Sequence, residues 1–192
     1  MKLNSIFKSL ISVAFLAAAT QAQAGREGVS YYYGIGLGAM QVDEPAGSLG
    51  LDTAIDGNLF FGLEEDGWAL EYMGFRTADT GTDVSNLEYR IGGNIISLGY
   101  RTLETGSTYY KFAYGQANAD VDVMNTTTNG TVSGSFDANV YTVGWGMRLQ
   151  SKNRFEVNYS YIDASGDETN TASKIHMINA RYMWGGSEPS GR

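Results

Sequence analysis

The sequence contains no cysteine, only two prolines and a single histidine, His176. Without cysteine the chain can form no disulfide and use no thiol chemistry, and any histidine-dependent mechanism must use His176. Basic residues are also scarce, with 13 Lys and Arg against 21 Asp and Glu. Phosphate binding needs a basic surface, so this balance argues against nucleic acid as a partner. Glycine and tyrosine are abundant instead, with 25 and 13 residues.

The first 24 residues have the three parts of a secretory signal peptide. Basic residues open the segment, residues 10–19 are almost wholly apolar, and Ala22–Ala24 has the small-x-small pattern of a cleavage site. The apolar run is shorter than the about 20 residues that a spanning helix needs, which disfavours a retained anchor. We expect cleavage after Ala24, leaving residues 25–192 as one domain with 11 basic and 21 acidic residues.

The remaining chain alternates apolar and polar residues in eight bursts, the pattern of strands with two unlike faces. Each burst is close to the about 9–11 residues that a tilted strand needs to cross a bilayer. The bursts lie within residues 31–184 and leave a short tail, 185–192. The predicted strands are Tyr31–Val42, Thr53–Glu64, Trp68–Thr77, Gly92–Thr102, Thr108–Ala117, Asn139–Gln150, Arg154–Asp163 and Lys174–Trp184.

The connections between these strands alternate in length, as they do in transmembrane barrels, where short turns face the periplasm and long loops face outward. The long links are Asp43–Asp52, Ala78–Ile91, Asn118–Ala138 and Ala164–Ser173; the short links are Glu65–Gly67, Leu103–Ser107 and Ser151–Asn153. An all-β, eight-stranded, antiparallel up-and-down transmembrane barrel is therefore predicted, with both chain ends on the periplasmic side.

One face of every predicted strand is large, apolar and free of charge. The other face is rich in glycine and carries nine charges: Asp56, Glu64, Glu71, Arg101, Lys111, Arg148, Arg154, Glu156 and Arg181. A soluble barrel would place the large apolar side chains inside. In a membrane barrel they contact lipid, and glycine leaves room in the interior for long charged side chains. The second orientation explains the glycines and is the one we predict.

Charged groups inside a narrow barrel must be paired, because burial of an isolated charge is unfavourable. We predict an ion-pair network among Glu71, Arg101, Lys111, Arg148, Glu156 and Arg181. An eight-stranded barrel is only wide enough for side chains to fill it, so the network is expected to hold the barrel closed. A conduction path through the charged interior is the alternative.

The pattern resembles the eight-stranded outer-membrane barrel superfamily, which includes the OmpA transmembrane domain and the OmpX/Ail group. The resemblance rests on Tyr31–Met40 with its alternating glycines, on Gly67–Tyr72 and on the closing strand Asn179–Trp184. It implies that Tyr182 and Trp184 form the aromatic-x-aromatic signal that the barrel-assembly machinery recognises. That signal usually ends the chain, whereas residues 185–192 follow it here.

Catalytic and metal-binding patterns are weak. Lipid A deacylases of the outer membrane carry a serine two positions after their histidine, but Ile178 occupies that position after His176. Acidic residues in the long links could hold Ca²⁺ or Mg²⁺, but an ordinary solvated loop surface is the better explanation. No enzyme activity, cofactor or metal is expected.

The sequence favours a monomeric, non-enzymatic barrel of the bacterial outer membrane with a structural or envelope-maintenance role. Its expected partners are outer-membrane lipids, lipopolysaccharide and the barrel-assembly machinery. Two alternatives remain open. One is an adhesin-like interaction protein that binds a surface ligand through loops 43–52 and 118–138, and the other is a narrow porin-like channel.

Overall fold

The computed structural model describes residues 29–43, 53–102, 107–149, 153–164 and 174–185. The predicted signal peptide, most of the first and last long links and the tail beyond Gly185 lie outside these ranges. Within them, no helix is long and apolar enough to cross a membrane. The strands are β1 Ser30–Asp43, β2 Ala54–Glu65, β3 Trp68–Thr77, β4 Thr80–Gly81, β5 Leu87–Arg101, β6 Thr108–Asn125, β7 Gly130–Arg148, β8 Arg154–Asp163 and β9 Lys174–Gly185.

Eight of these strands form a closed antiparallel barrel. Each barrel strand pairs with its neighbour in the chain, and β1 pairs with β9 to complete the circle. The two-residue strand β4 adds to the edge of β5, while β3 pairs directly with β5. The predicted eight-stranded up-and-down barrel is therefore confirmed.

The strand register sets the tilt of the barrel. Residue partners followed once around the barrel from Tyr31 return to β1 at Gln41, ten residues further along. With a rise of about 3.3 Å per residue and a strand spacing of about 4.8 Å, this stagger tilts the strands by about 40° from the axis. Such a tilt belongs to a barrel just wide enough for side chains to fill its interior.

The two faces of the strands point as the sequence predicts. Leu59 is 67% exposed on the outside of the barrel, and Trp145 and Tyr159 are also outward and exposed. Glu71 and Glu156 are buried in the interior. Large exposed apolar side chains recur around the barrel, and an extensive apolar surface marks contact with lipid or a partner, so this arrangement is that of a membrane barrel.

Three strands are longer than predicted by four residues or more. β5 begins at Leu87 rather than Gly92, and β6 and β7 continue through most of the segment 118–138 that the sequence analysis assigned to a loop. This segment is a hairpin in which Asn125 pairs with Gly130. Its turn is stabilised by the Asn125 side chain, whose Oδ1 accepts hydrogen bonds from the Thr127 and Thr128 amides, both at 3.0 Å. The loop assignment was therefore wrong.

Candidate functional site

Glu71 is the central acid of the barrel interior. Its carboxylate accepts hydrogen bonds from Lys111 Nζ at 3.1 Å, Arg181 Nη1 at 2.6 Å and the Tyr32 hydroxyl at 3.0 Å. The four side chains come from β1, β3, β6 and β9. Charge-assisted bonds of this kind are stronger than neutral ones, so Glu71 ties opposite walls of the barrel together.

Two further carboxylates extend the network toward the end of the barrel that carries the short turns. Glu156 accepts a hydrogen bond from Arg101 Nε at 2.8 Å and another from the Tyr109 hydroxyl at 3.0 Å. Glu64 lies 2.6 Å from Arg154 Nη1 and 3.1 Å from Arg101 Nη1. Arg101 therefore bridges two acids and links the pairs into one cluster, hereafter the ion-pair network.

The structure brings five of the six predicted network residues together: Glu71, Arg101, Lys111, Glu156 and Arg181. The sixth, Arg148, lies half-buried at the end of β7 rather than in the buried centre. Two charges that the face assignment placed inside, Glu64 and Arg154, belong to the network as well. The strand pattern shows that they point inward, but which cation meets which acid depends on the register of distant strands.

Aromatic rings complete the network and were not predicted. The Arg101 guanidinium lies 4.6 Å from the centroid of the Tyr32 ring, and the Arg181 guanidinium lies 4.6 Å from that of Phe60. Such cation–π contacts help to replace lost hydration. The sequence signal was present, because Tyr32 and Phe60 occupy inward positions in the alternation of β1 and β2.

The opposite half of the interior is mostly apolar. Toward the end that carries the long links, the inward side chains pack into an apolar plug made of Met40, Ala54, Tyr89, Ile91, Ala117, Ala119, Ala138, Val140, Ile162, Ile175 and Met177. All of them are buried, and Met40 and Met177 have no exposed surface. An ion crossing the barrel would have to pass both the ion-pair network and this plug.

The β6–β7 hairpin extends past the barrel wall. The pairing of β7 with β8 ends where Asn139 meets Asp163, whereas the pairing of β7 with β6 continues to Gly130. On its outward face Asp122 accepts a hydrogen bond from Ser133 Oγ at 2.6 Å and pairs with Arg90 at 3.0 Å. The Ser133 hydrogen bond, followed by that of Arg90, lowers the pKa of the Asp122 carboxyl from its ordinary value.

His176 lies on the outer surface near the same end. Its ring nitrogens face the Tyr159 hydroxyl at 2.6 Å and the Asp43 carboxylate at 3.1 Å. Ser160 is buried and faces the interior, so it cannot reach His176 on the outside. Among the described residues, no group of three or more His, Cys, Asp and Glu side chains is arranged to hold a metal ion.

Aromatic side chains mark both ends of the outer surface. At the short-turn end, Tyr182 and Trp184 lie 4.8 Å apart between ring centroids, and Trp184 stacks on Tyr33 at 5.6 Å. Toward the other end, Tyr114, Tyr141 and Tyr161 follow one another on adjacent strands, with centroids 5.3 and 6.3 Å apart. Rings in two belts are characteristic of membrane interfaces. Recognition of Tyr182 and Trp184 by the assembly machinery stays a prediction.

Comparison with known proteins agrees with this architecture. The sequence profile of the outer membrane protein β-barrel domain matches residues 10–184. The solved structure of Neisserial surface protein A is similar, with a TM-score of 0.69, 11% identity, and coverage of 82% of this chain and 98% of that one. Ail, the attachment invasion locus protein of Yersinia pestis, has a TM-score of 0.55 and 15% identity, with coverage of 83% of this chain and 100% of that one.

The N-terminal barrel domain of Pseudomonas aeruginosa OprF also has a TM-score of 0.55, with 8% identity and coverage of 82% of this chain and 98% of that one. At such identities these structures share the fold with this chain. No curated protein sequence gave a significant match. The profile match, the closed barrel and the apolar outer surface place the protein in the bacterial outer membrane. The chain therefore belongs to the outer membrane protein β-barrel family.

Proposed function

We propose that this protein is a non-enzymatic, non-conducting barrel that contributes to the integrity of the outer membrane. The observation that carries the proposal is the double closure of the interior. The ion-pair network fills the half near the short turns, and the apolar plug fills the other half. Water-filled pores need wider barrels or a polar path, and an eight-stranded barrel leaves space only for side chains.

The closure can be tested by single-channel recording. Protein inserted into planar bilayers is expected to give no conductance steps, with a known porin recorded in the same apparatus as a positive control. Glu71→Gln and Ile91→Ser serve as matched variants, because one perturbs the ion-pair network and the other the apolar plug. Discrete steps from the unaltered protein that change with either substitution would establish a channel instead.

The contribution to the envelope is tested in cells that lack the gene. Their outer membrane is expected to admit more of a hydrophobic dye, and expression of the unaltered chain is expected to restore the barrier. Equal dye entry with and without the protein, at matched expression of other barrels, would contradict the envelope role.

A second candidate function, binding of a surface ligand, is favoured by the β6–β7 hairpin. Residues 130–138 of β7 have no partner strand on their second side among the described residues. Val132 in this stretch is 74% exposed. An exposed strand edge presents backbone donors and acceptors to which another chain can add.

One hairpin variant separates the two functions. Replacement of residues 120–135 by Asn-Gly joins Ala119 and Phe136, which are already opposite each other, through a favourable two-residue turn. This variant is expected to restore the dye barrier because the barrel wall is intact. Loss of attachment to surfaces or cells with an unchanged barrier would support the binding function.

A further inference from the structure

The outer part of β7 presents an unprotected strand edge. Residues 130–136 have the sequence GTVSGSF, which contains neither a charged residue nor a proline. Native edge strands are usually protected by charges, proline or bulges. These residues pair with β6 without a bulge, and no strand from the described ranges covers their other side. This uncovered side of residues 130–136 is hereafter the open edge.

The direction of the backbone groups on the open edge follows from the rest of the strand. Just after β7, the Leu149 amide donates to the Asn153 carbonyl on the β8 side at 2.8 Å. The pairing of β7 is continuous along its length, and backbone direction alternates along a strand. Odd-numbered residues of β7 therefore direct their amide and carbonyl groups toward the β8 side. On the open edge these residues are Thr131, Ser133 and Ser135.

Two copies of the open edge match one another in an antiparallel register centred on Ser133. In this register Ser133 is opposite Ser133 of the second copy, and Thr131 is opposite Ser135 of the second copy. All of these residues direct backbone groups to the open edge, so each opposite pair can exchange two backbone hydrogen bonds. Their hydroxyl groups lie on one face, where cross-strand Ser and Thr pairs can also form hydrogen bonds.

The other face of the same register places bulky side chains opposite glycines. Val132 is opposite Gly134 of the second copy, and Phe136 is opposite Gly130. A Cβ atom added at Gly134 would meet nothing within 4 Å among the described residues. Glycine inside a strand weakens it and often marks the close approach of another backbone. A bulky cross-strand neighbour covers the backbone that glycine leaves exposed, so each copy supplies what the other lacks.

The direction of β7 determines where the second copy must be. β7 runs from the hairpin toward the short turns, so all copies in one membrane direct it the same way. Two copies related by rotation about the membrane normal would also cross their tilted strands at about 80°, twice the tilt of about 40°. Neither arrangement allows an antiparallel pair. Copies in two facing membranes direct β7 in opposite senses and can pair.

We propose that the open edge binds the open edge of a second copy in a facing membrane, through antiparallel pairing of residues 130–136. The same segment contributes both halves, so the interface is isologous. The proposal rests on the second candidate function, binding at the hairpin, and names the partner.

The pairing sets the distance between the two membranes. The barrel wall ends where Asn139 meets Asp163, and Ser133 lies about 20 Å further along the strand. At the tilt of the barrel, the two membrane surfaces are then roughly 30 Å apart. Surfaces with long sugar chains could not approach so closely, so the pairing requires lipids with short sugar chains or none.

Clustering of vesicles tests the pairing. Two populations of phosphatidylcholine vesicles carry different fluorescent lipids, and each is prepared with and without the protein. Two-coloured clusters are expected only when both populations carry the protein. The variant with residues 120–135 replaced by Asn-Gly lacks the open edge and is expected to form no clusters.

A charge exchange at Ser133 tests the register. Like charges directly opposite each other destabilise a strand pair. Vesicles with Ser133→Lys alone, or with Ser133→Glu alone, are therefore expected to lose most of the clustering. Mixing the two variants is expected to restore it, because lysine then faces glutamate. Equal clustering in all three mixtures would overturn the register.

Introduced thiols give a second measurement, because the chain has no cysteine of its own. Opposite residues of a hydrogen-bonded pair lie about 5.5 Å apart between Cα atoms, which suits a disulfide. Under a mild oxidant, Thr131→Cys in one population is expected to cross-link with Ser135→Cys in the other, but not with Thr131→Cys. The reverse preference would contradict the proposed register.

Failure of the unaltered protein to cluster vesicles, or clustering with protein in only one population, would overturn the proposal. Attachment to cells that the hairpin variant loses would then still support binding at the hairpin with a different partner. If the hairpin variant also attaches normally, both the pairing and the binding function are wrong.

Discussion

Glycine position, rather than glycine number, determines how the interior is filled. A Cβ atom at the inward Gly34 would contact the Tyr182 carbonyl oxygen and lie 2.9 Å from Phe60 Cε2. A Cβ atom at the outward Gly57 would meet nothing within 4 Å among the described residues. The two positions have the same residue type but opposite tolerance for a side chain.

Gly34→Ala is therefore expected to destabilise the barrel by about 1–3 kcal/mol, the usual range for overpacking. Gly57→Ala is the matched control and is expected to change stability by less than about 0.5 kcal/mol. Urea unfolding of both variants in lipid vesicles measures the difference. Equal stability of the two variants would show that the close packing at Gly34 is relieved at no cost.

The ion-pair network should be sensitive to removal of a single charge. Glu71→Gln leaves Lys111 and Arg181 buried without their shared carboxylate. Breaking one partner of a buried ion pair costs about 3–5 kcal/mol, so we expect a loss of that size in the free energy of unfolding. Glu65→Gln, at an exposed position near the β2–β3 turn, is the control and should be almost neutral. A neutral effect of Glu71→Gln would mean that the network does not stabilise the barrel.

Residue-scale prediction from sequence stops at side-chain direction. Alternation alone shows that Glu64 and Arg154 point inward, but they meet across 90 residues of chain. Their contact depends on the ten-residue stagger of the barrel, which no local pattern contains. The same reason explains why the network could be anticipated as a group but not contact by contact.

At the scale of elements, the β6–β7 hairpin shows where strand prediction fails. Ala119, Val121 and Val123 alternate with Asp120 and Asp122, so the strand pattern does continue into the segment. The alternation is hard to recognise for two reasons. The turn is rich in threonine and asparagine, and the outer part of the hairpin is exposed on both faces, so no buried apolar face is required there. Strands inside the membrane were found more readily, since lipid demands an uninterrupted apolar face.

Acidification should loosen this hairpin locally. The hydrogen bonds to Asp122 lower its pKa in the folded protein, so its ionised form adds stability above the ordinary pKa of an aspartate. That contribution is lost as the pH falls through the lowered value. Hydrogen exchange of the hairpin amides, corrected for the intrinsic pH dependence, is expected to accelerate below about pH 4.

Asp122→Asn supplies the control for the pH experiment, because the variant has no carboxyl to titrate at this position. Its hairpin should exchange at a rate that does not depend further on pH in the same range. A pH response of equal size in both proteins would assign the loosening to another group.

At the scale of the whole molecule, β1 and β9 join the two ends of the described barrel. Their pairing runs from Tyr32 with Gly185 to Asp43 with Lys174. A chain truncated before Lys174 leaves two open strand edges, so we expect it to lose the compact, heat-modifiable gel mobility of folded barrels. The variant with residues 120–135 replaced by Asn-Gly keeps every barrel strand and should retain that mobility. A compact, heat-sensitive form of the truncated chain would show that closure is not required.

The seam between β1 and β9 also gives folding a direction in time. The last barrel strand, β9, supplies the partner for the first, β1. A growing chain therefore cannot close the barrel before β9 has been synthesised. Until β9 is available, β1 and β8 each keep one unpaired edge. We therefore expect the unfolded polypeptide to need protection from aggregation until it reaches the membrane. Once the barrel is closed, no barrel strand has an open edge at which unfolding could begin.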